Sequence, residues 1–167
     1  LALNERFKIK NYTGIEINPQ AAKEAKKNHP NSNIVEGDFL KPNSISNQKF
    51  KLVISLSCID WNVEFHPMLN KAWSLVEPGG NMIISLRLTK DKGINDISSS
   101  FQYINYSGRK EGDIAPYIVL NHDDLIHDLR NFTNAERILK FTKKNRKYFR
   151  SFDAYVNLTG YLKPNLI

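Results

Sequence analysis

Two carboxylates stand where predicted strands end, and their spacing suits the binding of a nucleoside. The stretch Tyr12–Asp38 (YTGIEINPQAAKEAKKNHPNSNIVEGD) predicts a strand, a turn, a helix, a second strand and a second turn. Glu16 lies at the tip of the first strand and Asp38 lies just past the second. Ligands of open α/β sheets bind at the carboxyl ends of the strands. We therefore expect Glu16 to accept hydrogen bonds from both ribose hydroxyls and Asp38 to accept one from an adenine amino group.

The residues next to these strand ends complete the predicted pocket. Phe39 offers an aromatic ring that could pack on adenine, and Ile17 continues the first strand end. Ser55, Leu56 and Ser57 end a third predicted strand and could close the far side of the pocket. The alternatives are local ones: the first carboxylate could be a surface group near a helix N-terminus, and the second could be a turn residue after a glycine.

The best-placed candidate for a general base is His66, which lies between the third predicted strand and the helix that follows it. A base helps only if the group to be modified is a hydroxyl. The alternative is that His66 merely begins a helix before Pro67. Asp60 and Trp61 share the same connection. Cys58 is not expected to act as a nucleophile, because no histidine or asparagine partner can be argued for it.

A long segment, Thr89–Pro116, shows no clear period, and its Gly, Ser and Asn content predicts a loop. At this length it is more typical of a functional insertion than of a plain connection. Its aromatic and basic side chains could form a lid over a substrate, although plain surface aromatics are the alternative. The four candidates for this lid are Tyr103, Tyr106, Arg109 and Tyr117.

The elements that must position these residues alternate between strand and helix. Asn18 and Pro19 predict a helix start, Phe65 to Val76 predicts an amphipathic helix, and Asn121 predicts the cap of a third helix. The order is β-α-β, β-α-β, long loop, α-β-β. It predicts an α/β fold with a mostly parallel sheet, helices on both faces and an antiparallel last strand. The strands outside the opening stretch are Phe50–Leu56 (expected to be buried on both faces), Met82–Leu88, Ala135–Phe141 and Phe152–Tyr161.

Length and composition bound the class of protein. The 167 residues suit a single domain over 1–167, and 41% apolar with 25% charged residues is typical of globular proteins. No apolar run reaches the ~18–20 residues needed to cross a bilayer. The single cysteine excludes an intramolecular disulfide and a cysteine-based zinc cluster, which favours a cytoplasmic location. We expect no metal site and no membrane partner, and the sequence gives no oligomeric state.

The net charge of +7 is concentrated near the end of the chain. Seven basic residues fall within fourteen positions, which favours a solvated segment between two strands over a dispersed nucleic-acid surface. Contact with an anionic substrate or a nucleic acid is the alternative. These seven residues are Arg137, Lys140, Lys143, Lys144, Arg146, Lys147 and Arg150.

Four segments together resemble the class I S-adenosylmethionine-dependent methyltransferases. They are GIEINPQAAKEAKKN, NIVEGDF, FKLVISLSCIDW and LNKAWSLVEPGGNMIISL, and the resemblance extends from Tyr12 to Leu88. It implies a Rossmann-like three-layer sandwich, S-adenosylmethionine as cofactor and methyl transfer to a small-molecule or sugar acceptor. It also implies that Glu16 holds the ribose and that Asp38 and Phe39 hold the adenine. Ser55 to Ser57 would line the pocket beside the sulfonium.

One part of the family pattern has no counterpart in this sequence. The strand and glycine-rich loop that hold the methionine part of the cofactor would precede Glu16, and no glycine-rich loop lies between Leu1 and Lys10. We expect a fragment whose first strand is upstream, and weak or absent cofactor binding if the chain truly begins at Leu1.

Two other functions remain open at this point. One is a nicotinamide-dependent oxidoreductase, for which Tyr106 and Lys110 have the spacing of a Tyr-x-x-x-Lys pair but lie in a predicted loop. The other is a non-catalytic methyltransferase fold that binds RNA or another acidic partner through its basic segment.

Overall fold

The structure, a computed structural model, describes residues 8–43, 45–104, 109–131, 135–140 and 151–160. The chain forms two compact units, Leu1–Gln48 and Lys49–Ile167. The prediction of a single domain stays a prediction. Within the described residues, no helix is long and apolar enough to cross a membrane.

The first unit is a β-α-β motif. Strand β1 (Thr13–Glu16) pairs in parallel with strand β2 (Asn33–Glu36), and helix α1 (Pro19–Asn28) connects them. The side-chain oxygen of Asn18 accepts hydrogen bonds from Gln20 N at 2.9 Å and Ala21 N at 3.1 Å, which satisfies two backbone donors of the first helical turn. The predicted start of this helix at Asn18 and Pro19 is thus confirmed.

The second unit is built on one long strand, β4 (Val76–Thr89). Strand β3 (Phe50–Ser55) and the short strand β7 (Leu120–Asn121) both pair with β4 in parallel. Strand β9 (Ser151–Gly160) pairs with β4 in antiparallel orientation, and strand β8 (Ala135–Lys140) pairs with β9 in the same way. The predicted α/β class, with parallel strands and an antiparallel last strand, is confirmed.

One edge of β4 has a short stretch between two partner strands, and this stretch is important for the site. Strand β9 pairs with β4 from Asn81 to Thr89, so it occupies one edge of that strand. Strands β3 and β7 share the other edge, β3 reaching Ile84 and β7 beginning at Leu88. Side chains from the connection after β3 must therefore meet the backbone of β4 between these two strands.

Two helices supply the rest of the buried surface. A 3₁₀ turn (Ile59–Trp61) precedes helix α2 (Phe65–Ser74), and helix α3 (His122–Asn131) follows β7. Asn121 caps α3 as predicted, because its side-chain oxygen accepts from Asp123 N at 2.8 Å and Asp124 N at 3.1 Å. The fully buried apolar side chains of this unit include Phe65, Leu69, Met82, Ile84, Leu86, Leu88, Ile118, Leu125 and Leu129.

The junction between α2 and β4 differs from the prediction. The helix ends at Ser74 and β4 begins at Val76, six residues before the predicted start. Glu77 to Gly80 form an irregularity in the pairing with β3. A Cβ on Gly80 would lie 2.9 Å from the carbonyl oxygen of Glu77 and 3.0 Å from that of Lys51, so only glycine allows this close approach.

The long segment after β4 is also more ordered than predicted. Strand β5 (Phe101–Tyr103) pairs in antiparallel orientation with strand β6 (Ile114–Pro116), and Ile94 forms an isolated bridge with Val119. The prediction of a loop over Thr89–Pro116 was wrong here, because two three-residue strands are too short to produce a visible period.

Strand β3 is not buried on both faces as its composition suggested. Leu52, Ile54 and Leu56 lie at alternate positions and are 38%, 38% and 53% exposed. Alternate residues of a strand share a face, so these three form one apolar row. An apolar composition indicates that a strand is suited to burial, but it does not show whether another element packs on each of its faces.

Candidate functional site

In the first unit, parallel pairing brings two strand ends together as predicted. Glu16 is the register partner of Glu36, and the N–H of Gly37 donates to the carbonyl oxygen of Glu16 at 2.9 Å. The Oε1 atom of Glu16 accepts from the N–H of Asn18 at 2.8 Å, which is the local role weighed as an alternative. A carboxylate offers about four acceptor positions, so this bond leaves capacity for a ribose.

The second carboxylate also shapes a turn. Asp38 Oδ1 accepts from the N–H of Leu40 at 2.9 Å, and Lys41 Nζ lies 4.0 Å from Asp38 Oδ2. Asp38 and Phe39 are half-buried, whereas Ile17 is exposed. Both predicted carboxylates thus lie at the carboxyl edge of the β1–β2 pair, each fixed by one local hydrogen bond.

In the second unit, the predicted residues Ser55, Leu56 and Ser57 lie at the end of β3. Ser57 has φ of 51°, a left-handed conformation that is uncommon for residues other than glycine. Its N–H donates to the buried hydroxyl of Ser85 on β4 at 2.7 Å. Strained conformations of this kind cluster at functional sites, and here the strain lies at the strand end that the sequence singled out.

An ion pair that the sequence did not predict lies next to this strand end. Asp60 Oδ2 accepts from the backbone N–H of Arg87 at 3.1 Å and from Arg87 Nη1 at 2.9 Å. It thereby bridges the edge of β4 between β3 and β7. The carbonyl oxygen of Asp60 accepts from the N–H of Ile118 at 2.8 Å. This one residue therefore joins three segments of the unit.

Two aromatic rings enclose the arginine of this pair. Arg87 Cζ lies 4.3 Å from the centroid of the Trp61 ring and 4.9 Å from that of Tyr117. The two rings meet edge to face at 6.0 Å. We call Asp60, Trp61, Arg87 and Tyr117 the arginine cluster. The presence of Asp60 and Trp61 in the connection was visible in the sequence, but their partners lie more than twenty residues away along the chain.

The remaining candidates occupy other positions. His66 lies in the first turn of α2, and its Nε2 is 3.1 Å from Asp128 Oδ2 on α3, with both side chains exposed. Of the predicted lid residues, Tyr117 joins the arginine cluster, Tyr103 packs against Phe101 and Arg109 pairs with Glu111. Tyr106 lies outside the described residues, as does the basic segment from Lys143 to Arg150, whereas Arg137 and Lys140 lie on β8. Across the described ranges there is no group of three His, Cys, Asp or Glu side chains that could hold a metal ion.

Several solved methyltransferase structures have a similar fold. An S-adenosylmethionine-dependent methyltransferase from Clostridium acetobutylicum is 14% identical, with a TM-score of 0.63, over 96% of this chain and 80% of that one. The 1,6-didemethyltoxoflavin-N1-methyltransferase of Burkholderia thailandensis, solved with S-adenosylhomocysteine and 1,6-didemethyltoxoflavin, is 14% identical with a TM-score of 0.58. The alignment covers 89% of this chain but only 60% of that one. The glycopeptide N-methyltransferase MtfA, solved with S-adenosylhomocysteine, matches at 14% identity and a TM-score of 0.58, over 89% of this chain and 73% of its own.

No curated protein matches the sequence. The sequence does match a family model described as a methyltransferase domain, and the match spans residues 1–84, just over half of the chain. The match includes both carboxylates of the first unit, the Ser57 turn and the 3₁₀ turn of the arginine cluster. Together with the fold, this places the chain in the methyltransferase domain family, among the class I S-adenosylmethionine-dependent methyltransferases.

Proposed function

We propose that the protein binds S-adenosylmethionine and transfers its methyl group to a small-molecule or sugar acceptor. The observation that carries this proposal is the pair of carboxylates, Glu16 and Asp38, at adjacent parallel strand ends within the matched family region. The similar structures support it, since two of them were solved with S-adenosylhomocysteine. The family match favours this function over the nicotinamide-dependent oxidoreductase.

In this proposal, the first unit holds the adenosine. Glu16 accepts from the two ribose hydroxyls, Asp38 accepts from the adenine amino group, and Phe39 packs on the ring. For Ser55, Leu56 and Ser57 at the end of β3, we keep the role that the resemblance implies, a place beside the sulfonium of the cofactor. The cofactor, when bound, supplies an activated methyl group, so the chain mainly needs to align the acceptor and exclude water.

The test is calorimetry of the protein with S-adenosylhomocysteine and with adenosine. Glu16→Gln and Asp38→Asn keep the oxygen that accepts the local bond from Asn18 or Leu40, but each removes the negative charge. We expect each variant to weaken adenosine binding about tenfold or more, the loss of a charge-assisted hydrogen bond being worth about 1.5–3 kcal/mol.

Glu24→Gln on α1 is the matched control, because Glu24 contacts only Gln20 of the same helix among the hydrogen bonds found in the described residues. It should bind adenosine as the unaltered protein does. Equal affinity in all four proteins would remove both carboxylates from the site, and an absence of binding to either ligand would contradict the proposed cofactor.

A further inference from the structure

The arginine cluster holds a cation in a fixed orientation at the carboxyl end of the sheet. Asp60 fixes one edge of the guanidinium through Nη1, and the Trp61 and Tyr117 rings lie within 5 Å of Cζ. The side chain of Asp60 is 3% exposed, whereas that of Arg87 is 23% exposed. The acid is therefore enclosed, and part of the arginine still reaches solvent.

The position of Arg87 connects this cation with the predicted pocket. Arg87 follows Ser85 by two positions on β4, so the two side chains share one face of the strand. The hydroxyl of Ser85 accepts from the N–H of Ser57, which ends the predicted cofactor-lining segment. A group bound at Arg87 would thus lie next to the end of β3.

The chemistry of the guanidinium indicates what it can bind. Arginine carries five N–H donors in a rigid fork, and Nη1 is the one that donates to Asp60 Oδ2 at 2.9 Å. Carboxylates and phosphates match such a fork with two parallel hydrogen bonds. Because Asp60 and the rings already fix the side chain, little conformational entropy remains to be lost on binding.

We propose that Arg87 anchors a carboxylate or phosphate group of the methyl acceptor, with Asp60, Trp61 and Tyr117 as its positioning residues. This inference rests on the proposed function, and it narrows the acceptor to a small molecule that carries an oxyanion. A purely structural ion pair would hold the connection after β3 against β4 and would bind no anion.

The experiment uses the fluorescence of Trp61, which lies against the guanidinium. Trp73→Phe leaves Trp61 as the only tryptophan, since the chain has two. We expect phosphate and acetate, added at constant ionic strength, to change its emission saturably with dissociation constants of about 1–50 mM, a range typical of a single small-ion contact. The anion with the lower dissociation constant shows whether the site prefers a phosphate or a carboxylate group.

Three variants in this background make the test specific. Arg87→Lys can still pair with Asp60 but loses the planar fork, and we expect it to weaken anion binding about fivefold or more. Asp60→Asn removes the competing negative charge and should strengthen anion binding. Lys92→Gln, which removes an exposed positive charge, is the matched control and should behave as the background does.

The same samples separate this inference from the proposed function. Binding of S-adenosylhomocysteine without any saturable anion response up to about 100 mM, or with equal responses in the background and in Arg87→Lys, would overturn the inference alone. An anion response without S-adenosylhomocysteine binding would overturn the proposed function alone. If Arg87→Lys fails to fold by circular dichroism, titration of the Arg87 Nε–H signal by nuclear magnetic resonance in the unaltered protein decides the question: a saturable shift supports the inference, and no shift contradicts it.

Discussion

The backbone N–H of Ser57 donates a 2.7 Å hydrogen bond to the hydroxyl of Ser85, which ties the strained end of β3 to the central strand β4. The bond lies at the strand end that the sequence assigns to the cofactor pocket. Because Ser85 is buried, its hydroxyl is shielded from water and depends on protein partners for its hydrogen bonds. The turn is therefore held from the sheet side rather than by its own residues.

The first prediction concerns the conformation of Ser57. Glycine adopts a φ of 51° without strain, whereas a β-branched residue does so only at a cost of about 1–3 kcal/mol. We expect Ser57→Val to lose that much stability and Ser57→Gly to change it by no more than about 1 kcal/mol. Urea unfolding measures both. Equal stabilities of the two variants would show that the left-handed turn is not formed in solution.

The second prediction concerns the close approach at Gly80. A methyl group there would meet two backbone carbonyl oxygens, which cannot move aside as side chains can. We expect Gly80→Ala to cost about 1–3 kcal/mol, the usual range for overpacking. Gly14→Ala is the control, because its Cβ would meet only side-chain atoms of Tyr12 and Ile34 and should cost less. Thermal unfolding of both variants checks this order, and the reverse order would contradict the geometry at Gly80.

The third prediction concerns the coupling of Asp60 and Arg87. Removing one partner of a buried ion pair leaves the other uncompensated, so Asp60→Ala should cost about 3–5 kcal/mol. The double variant with Arg87→Met should be less destabilised than the sum of the two single variants. A double-mutant cycle by urea unfolding measures the difference. Strict additivity would mean that the two side chains do not interact in the folded protein.

The fourth prediction concerns pH. The side-chain and backbone hydrogen bonds from Ser98 hold the pKa of Asp96 below its ordinary value, with a smaller contribution from Ser99. A carboxyl whose pKa is lowered on folding stabilises the protein above its unfolded-state pKa, and that contribution disappears as the pH falls through the folded-state pKa. We expect Ser98→Ala to raise the pKa of Asp96, as measured by nuclear magnetic resonance titration. An unchanged pKa would show that the turn is not populated.

The fifth prediction concerns His66 as the general base for a hydroxyl acceptor. If Asp128 accepts from Nε2–H, then Nδ1 is the nitrogen that can take a proton. His66→Gln should lower kcat by about 100-fold, within the usual range for general-base catalysis. His122→Gln is the matched control, since His122 also faces an aspartate, Asp123, at 3.0 Å. An unchanged kcat in His66→Gln would show that His66 and Asp128 form only a surface contact between α2 and α3.

Features whose partners are close in the chain could be predicted from the sequence. Asn18 and Asn121 satisfy donors two and three residues away, so residue type alone indicated both caps. The positions of Glu16 and Asp38 at adjacent strand ends followed from the β-α-β order, because a parallel pair aligns its carboxyl ends.

Features that depend on distant partners could not be predicted. Asp60 meets Arg87 across 27 positions and Tyr117 reaches the same guanidinium from another segment, and no local pattern encodes either contact. The left-handed turn at Ser57 is stabilised by Ser85, 28 positions away. The sequence thus indicated the strand ends on which the proposed site is built, while the arginine cluster required the structure.

The irregularity at Glu77 to Gly80 has a consequence for how this protein can change in evolution. Two positions along β3, from Phe50 to Leu52, correspond to five along β4, from Val76 to Asn81. Strand β4 thus has three more positions than β3 here. Because three is an odd number and side chains alternate between the faces of a strand, the irregularity reverses the faces of β4 relative to β3. Ser85 and Arg87 then lie on one face, and Met82, Ile84 and Leu86 lie on the other. From Asn81 onward the pairing with β3 is regular, so a single residue gained or lost there would exchange core and site along the rest of the strand. The irregular stretch from Glu77 to Gly80 can absorb one residue more or less, so changes of length in related chains should fall there and not beyond Asn81.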